Sequence, residues 1–181
     1  MRVCIVSFSS RRNGNCAQIG KLMESVLDHA ELFDFSNHSI HPCGECDYQC
    51  FTSAQNCPYT DDMEYQILDA VTHSDLTYFI IPNYCDYPCA NFYIFNERSQ
   101  CYFQGHPELL DLYEKVQKRA VVVSNTNEEN FIKALSYQSY EKTEILFLSA
   151  KRYGKVSIKG DLLTEYDVIK DIMKFIEKPL S

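Results

Sequence analysis

Short apolar runs alternate along the chain with stretches whose apolar residues recur at helical spacing. Four runs read as buried strands: Arg2 to Phe8, Leu76 to Ile81, Ala120 to Ser124 and Glu144 to Leu148, with a weaker one at Glu31 to Phe35. Uninterrupted apolar runs fit a parallel sheet covered on both faces, because each strand then buries both of its sides. Between them, Ile19, Leu22, Met23, Val26 and Leu27 form a helical stripe, as do Met63, Ile67, Leu68 and Val71. Leu109, Leu112, Tyr113 and Val116 form a third, and Val168, Ile169, Ile172, Met173 and Ile176 a fourth. Such stripes are read first as core packing.

Strands that alternate with helices imply right-handed βαβ crossovers and an open, doubly wound sheet. The expected fold is a flavodoxin-like three-layer α/β sandwich, with a five-stranded parallel sheet in the order 2-1-3-4-5 and helices on both faces. In such sheets ligands bind beyond the carboxyl ends of the strands, where the strand order reverses. Three loops fall there: 9–15, 82–91 and 125–127. The length of 181 residues fits one domain, 1–181, with a cysteine-rich inserted loop at about 36–58. Long ordered loops are usually functional.

Charge narrows the possible partners. A net charge of −8 argues against a nucleic-acid surface, so any anion site must be local. No run approaches the roughly 20 apolar residues that span a bilayer, and MRVCIVSFSSRRNG is too short in its apolar part for an export signal. A cytoplasmic protein with no membrane partner is expected. The nine cysteines are odd in number and have no export signal, so reduced thiols or metal ligands are the default rather than a disulfide framework.

The first loop, FSSRRNGNC at 8–16, has small polar side chains, two arginines and a glycine directly before a helix. Backbone N–H groups and the positive end of the helix dipole could hold a phosphate there. An ordinary polar turn capped by Asn13 or Asn15 is the alternative. The later loop, IPNYCDYPCANFYIFNER, brings Tyr84 and Tyr87, suited to lie against a flat ring; Pro82 is expected to end the strand, and Glu97 and Arg98 to close a short helix.

The motifs SSRRNGNC at 9–16, TDDM at 60–63, IPNY at 81–84 and NER at 96–98 occur in the order and separation of one family. Over roughly its first hundred residues the chain resembles the flavodoxin-like NADPH-dependent FMN reductases, including the iron–sulfur flavoproteins. The resemblance implies FMN, with Ser9, Arg11, Asn13, Asn15 and Cys16 as the phosphate loop. Pro82, Asn83, Tyr84 and Cys85 would face the isoalloxazine ring, with Ser124, Asn125 and the residues up to Asn127 on its other side. It also implies NAD(P)H or a protein electron donor, and a homodimer. Where the family has glycine, proline, threonine and aspartate, this chain has Phe8, Ser10, Cys16 and Glu97.

Cys43, Cys46, Cys50 and Cys57, in PCGECDYQCFTSAQNC, are close enough in sequence to converge on one metal. Three readings stand open: a 4Fe–4S cluster passing electrons to FMN, a structural zinc, or plain reduced cysteines. The leading expectation is an FMN-dependent oxidoreductase or electron-transfer flavoprotein. Its rival is a non-catalytic module with a structural zinc or free-cysteine loop and a decayed flavin site. A low-molecular-weight phosphatase is excluded, since its nucleophilic cysteine would open the phosphate loop and Ser9 to Asn15 contains none.

Overall fold

The computed structural model describes residues 1–44, 46–52, 57–104, 106–126, 128–136 and 143–180. Along the chain come β1 (Val3–Ser7), α1 (Asn15–Val26), β2 (Ala30–Asp34), the single turn α2 (Gln49–Thr52), α3 (Met63–Thr72) and β3 (Leu76–Tyr84). Then follow β4 (Tyr87–Pro88), α4 (Ala90–Phe103), α5 (Pro107–Lys115), β5 (Gln117–Ser124), α6 (Glu129–Ser136) and β6 (Glu144–Ser149). Three short 3-10 turns between Ala150 and Thr164 lead into α7 (Tyr166–Ile176).

The main sheet has the order β2-β1-β3-β5-β6, with every neighbouring pair parallel. This is the order expected from the alternation of elements. Successive residues of a strand point to opposite faces, and both faces here are covered. Cys4, Val6, Phe79 and Ile81 face a core built with α3, α4 and α6, whereas Val3, Ile5, Tyr78 and Ile80 face one built with α1 and α7. That double burial explains why the strands read as continuous apolar runs.

Three expectations are corrected. β3 does not end at Pro82 but runs to Tyr84 and turns back into the two-residue antiparallel strand β4. Ile80 O accepts from Phe8 N at 3.0 Å, so Pro82, two residues on, turns its missing N–H toward the side where β1 has already ended. Glu97 and Arg98 do not close a helix; they lie inside the 14-residue α4. The stripe at 109–116 is core only in part: α5 packs on α3 and α4 with none of its residues fully buried, while Tyr113 lies against the first core and Val116, just past the helix, is buried. No helix is long and apolar enough to cross a membrane among the described residues.

Candidate functional site

The loop after β1 is anchored by Phe8. Its ring is fully buried, with the rings of Phe35, Phe79, Phe92 and Phe95 centred 5.2 to 5.6 Å away. Phenylalanine here drives the start of the loop into the core. Ser9 is buried and its Oγ accepts from Arg11 N at 3.3 Å, while Gly14 N donates to Arg11 O at 2.9 Å. Gly14 is the residue before α1 and has an ordinary backbone, φ −78°, so a special conformation is not what requires glycine. Space is: a Cβ would lie 3.0 Å from Arg11 Cβ and 3.1 Å from Arg11 O. Neither Asn13 nor Asn15 caps the helix. The N–H groups of its first turn therefore lack intrahelical acceptors, at the positive end of the dipole.

The polar side chains of this loop engage the far end of the chain. Arg11 donates to Ile158 O, and Asn15 donates to Ser157 O at 2.7 Å and accepts from Leu162 N at 2.9 Å. Gln18 joins the two segments by donating to Asn13 O at 3.0 Å and Gly160 O at 2.7 Å. Cys16 is buried in the α1–α7 core, and burial pushes its thiol well above its ordinary pKa, so it stays neutral despite the helix start. Gly160 has φ +72°, and a Cβ there would meet Asn13 O at 2.6 Å. Gly160→Ala is expected to cost about 1 to 3 kcal/mol of stability, read from the urea midpoint, through left-handed strain and the clash together.

A second wall comes from β3 and β5. Cys85 and Asp86 both take positive φ, 51° and 67°, forming the tight turn between Tyr84 and Tyr87. Asn83 Nδ2 donates to Ser124 Oγ at 2.9 Å and Thr126 Oγ1 at 3.2 Å, and Asp86 accepts from Thr126 Oγ1 and from Asn130. Asn83 Oδ1 is buried with no hydrogen-bond partner among the described residues. Asn125 accepts from Ser157 N at 2.8 Å. Tyr84 is 50% exposed, and its hydroxyl approaches Ser9. Burial raises the pKa of that phenol. Asn91, at the start of α4, donates to Phe8 O and Ser10 Oγ, both at 2.9 Å. Cys89 points at Phe8 O as well, its thiol pushed up to about 11 by burial.

Ser9, Asn83, Tyr84, Ser124 and Asn125 thus converge at the carboxyl ends of β1, β3 and β5. Pro82 lies within β3, and Cys85 is exposed at the turn tip. Asn127 lies outside the described residues. Asn91, Gln18 and the 157–162 segment were not foreseen; Gly160 was the one mark in that segment.

The cysteine-rich loop is pinned at both ends by Arg98. Buried to 1% exposure, its guanidinium pairs with Asp62 and donates to His41 O at 3.1 Å and Tyr59 O at 2.7 Å. Asp62 also accepts from Glu64 N at 3.0 Å, as the cap of α3, and from His41 N at 2.8 Å. TDDM and NER are therefore two halves of one structural clasp. All nine cysteines are thiols. Cys50 and Cys57 are buried together with Cys101 of α4, whose Sγ donates to Cys50 Sγ at 3.5 Å, while Cys43 and Cys46 are half-buried. Among the described residues no three His, Cys, Asp or Glu side chains are arranged to hold a metal ion. As the loop stands, Cys50 turns to Cys101 of α4, and Cys43 approaches the same thiol.

No protein-family profile and no curated protein matches the chain in sequence. Solved structures do. The chain is similar to the Trp repressor binding protein from Bacillus subtilis, with a TM-score of 0.67 at 12% identity over 96% of this chain and 99% of that one. It is similar to FerB, a flavoenzyme NAD(P)H:(acceptor) oxidoreductase from Paracoccus denitrificans, with a TM-score of 0.58 at 12% identity over 97% and 93% of the two chains. A third is RosB with bound 8-demethyl-8-formylriboflavin-5'-phosphate, with a TM-score of 0.56 at 12% identity over 99% and 82%. What the chain shares with these proteins is the flavodoxin-like doubly wound fold, along nearly its whole length.

Proposed function

We propose that the chain binds FMN at the carboxyl edge of its sheet and acts as an NAD(P)H-dependent oxidoreductase. The observation that carries the reading is the convergence of the loops after β1, β3 and β5 beside the uncapped start of α1. Neighbours of the same fold include a flavoenzyme that uses NAD(P)H and a protein holding a riboflavin 5'-phosphate derivative. The site residues fit FMN. First-turn N–H groups of α1 and the exposed Arg12 would hold its phosphate. The half-exposed Tyr84 ring would lie on the isoalloxazine, and the orphaned Asn83 Oδ1 offers an acceptor to a ring N–H. When bound, the flavin supplies the acceptance of hydride or electrons; the protein supplies binding, orientation and electrostatics. Pairing with Ser124 and Thr126 holds the Asn83 amide with its oxygen toward that edge.

Titrating the protein with FMN is expected to give saturable quenching of flavin fluorescence, and NAD(P)H is expected to bleach the bound flavin. Tyr84→Ala should weaken FMN binding roughly tenfold, the value of one aromatic contact. Absent quenching at any FMN excess would sink the proposal. One observation favours the rival reading of a non-catalytic module: Arg11 and Asn15 are engaged by residues 157–162 rather than turned to a phosphate. The same titration decides between the two.

A further inference from the structure

The sulfurs of Cys50 and Cys101 lie 3.5 Å apart, one S–H donating to the other, although 51 positions separate them in the chain. They are 5% and 7% exposed. With Cys57, Tyr59 and Tyr65 they form a small apolar cluster apart from the two cores flanking the sheet. The spacing of the loop cysteines points to a metal, but the fold also gives Cys50 a partner outside the loop, from α4. Two adjacent thiols, with no metal-holding group of side chains among the described residues, are the precursor of a disulfide.

We propose that Cys50 and Cys101 form a reversible disulfide when the protein meets a peroxide, covalently tying the cysteine-rich loop to α4. One thiol sulfur attacks a peroxide oxygen; an S–O bond forms, the O–O bond breaks, and water leaves with the thiol proton. The second sulfur then displaces a second water from the resulting sulfenic acid. In sum, two thiols and one hydrogen peroxide give one disulfide and two waters, the two electrons passing from sulfur to peroxide. Burial holds the Cys101 thiol above its ordinary pKa, which slows attack from that sulfur. Half-buried Cys43 approaches Cys101 as well and is the competing partner.

The test treats the full-length protein with hydrogen peroxide, alkylates the remaining thiols under denaturing conditions, and maps cross-links by mass spectrometry without reduction. The expected product joins the peptide holding Cys50 to that holding Cys101, leaves two thiols fewer than the nine of the reduced chain, and reverts with dithiothreitol. It should raise the thermal midpoint by roughly 5 to 10 °C, since it closes a long loop. Cys101→Ser and Cys50→Ser should each abolish this product, whereas Cys46→Ser should keep it. Should either of the first two fail to fold, the map of the unaltered protein still decides. A dominant Cys43–Cys101 link, Cys50 and Cys101 both fully alkylated after oxidation, or stoichiometric zinc or iron lost on Cys101→Ser would each overturn the proposal.

Discussion

Arg98→Met is expected to lower unfolding free energy by about 3 to 5 kcal/mol, the usual cost of stripping one partner from a buried ion pair. A domain of ordinary stability has only roughly 5 to 15 kcal/mol to lose. The effect is large because one side chain does several tasks. Its guanidinium neutralises Asp62, satisfies the carbonyls of His41 and Tyr59, and lies 5.7 Å from the centre of the Tyr59 ring. Methionine fills the volume but leaves an 8%-exposed carboxylate without its countercharge and removes the guanidinium's hydrogen bonds to two carbonyls. Arg98→Lys should fall between, restoring the charge but not the fork that reaches two carbonyls at once. Urea unfolding measures all three proteins; a loss under about 1 kcal/mol for methionine would show that the clasp contributes little.

The second large effect is a pH dependence. Glu64 is fully buried, both carboxylate oxygens lack a partner among the described residues, and desolvation raises its pKa from 4.5 to about 9 against the opposing pull of Arg98. The folded protein therefore keeps this proton when the unfolded chain has released it. Stability from the group is full below pH 4.5, falls as pH rises toward 9, and is lost above that. At pH 7 the loss amounts to about 3 kcal/mol. Glu64→Gln cannot titrate, so its stability should lack this decline between pH 5 and 7, below the range where the buried Lys118 gives up its proton. Parallel slopes for the two proteins would show that Glu64 is ionised in the fold.

Much of this arrangement could be read from the sequence, and the part that could not has a physical cause. The strands were visible because both faces of the sheet are buried, leaving apolar runs such as the one through Tyr78, Phe79, Ile80 and Ile81. The loops after β1, β3 and β5 followed from strand order. TDDM and NER were visible as motifs but not as partners, since nothing local says that Asp62 meets Arg98. The 157–162 segment was invisible for another reason: most of its contacts to the first loop use the backbone groups of Ser157, Ile158, Gly160 and Leu162. Backbone atoms leave no signature in residue type. Cys101 was missed because metal-type spacing looks only at near neighbours.

The seam between the first loop and residues 157–162 also sets a schedule. Asn15 and Gln18 wait for partners made 142 to 147 positions later. During synthesis the sheet can begin to assemble as β1, β2 and β3 emerge, but the loop after β1 stays half-finished until residues 157–162 have left the ribosome. A fragment stopping near residue 150 would carry all the described strands and still present that loop incomplete.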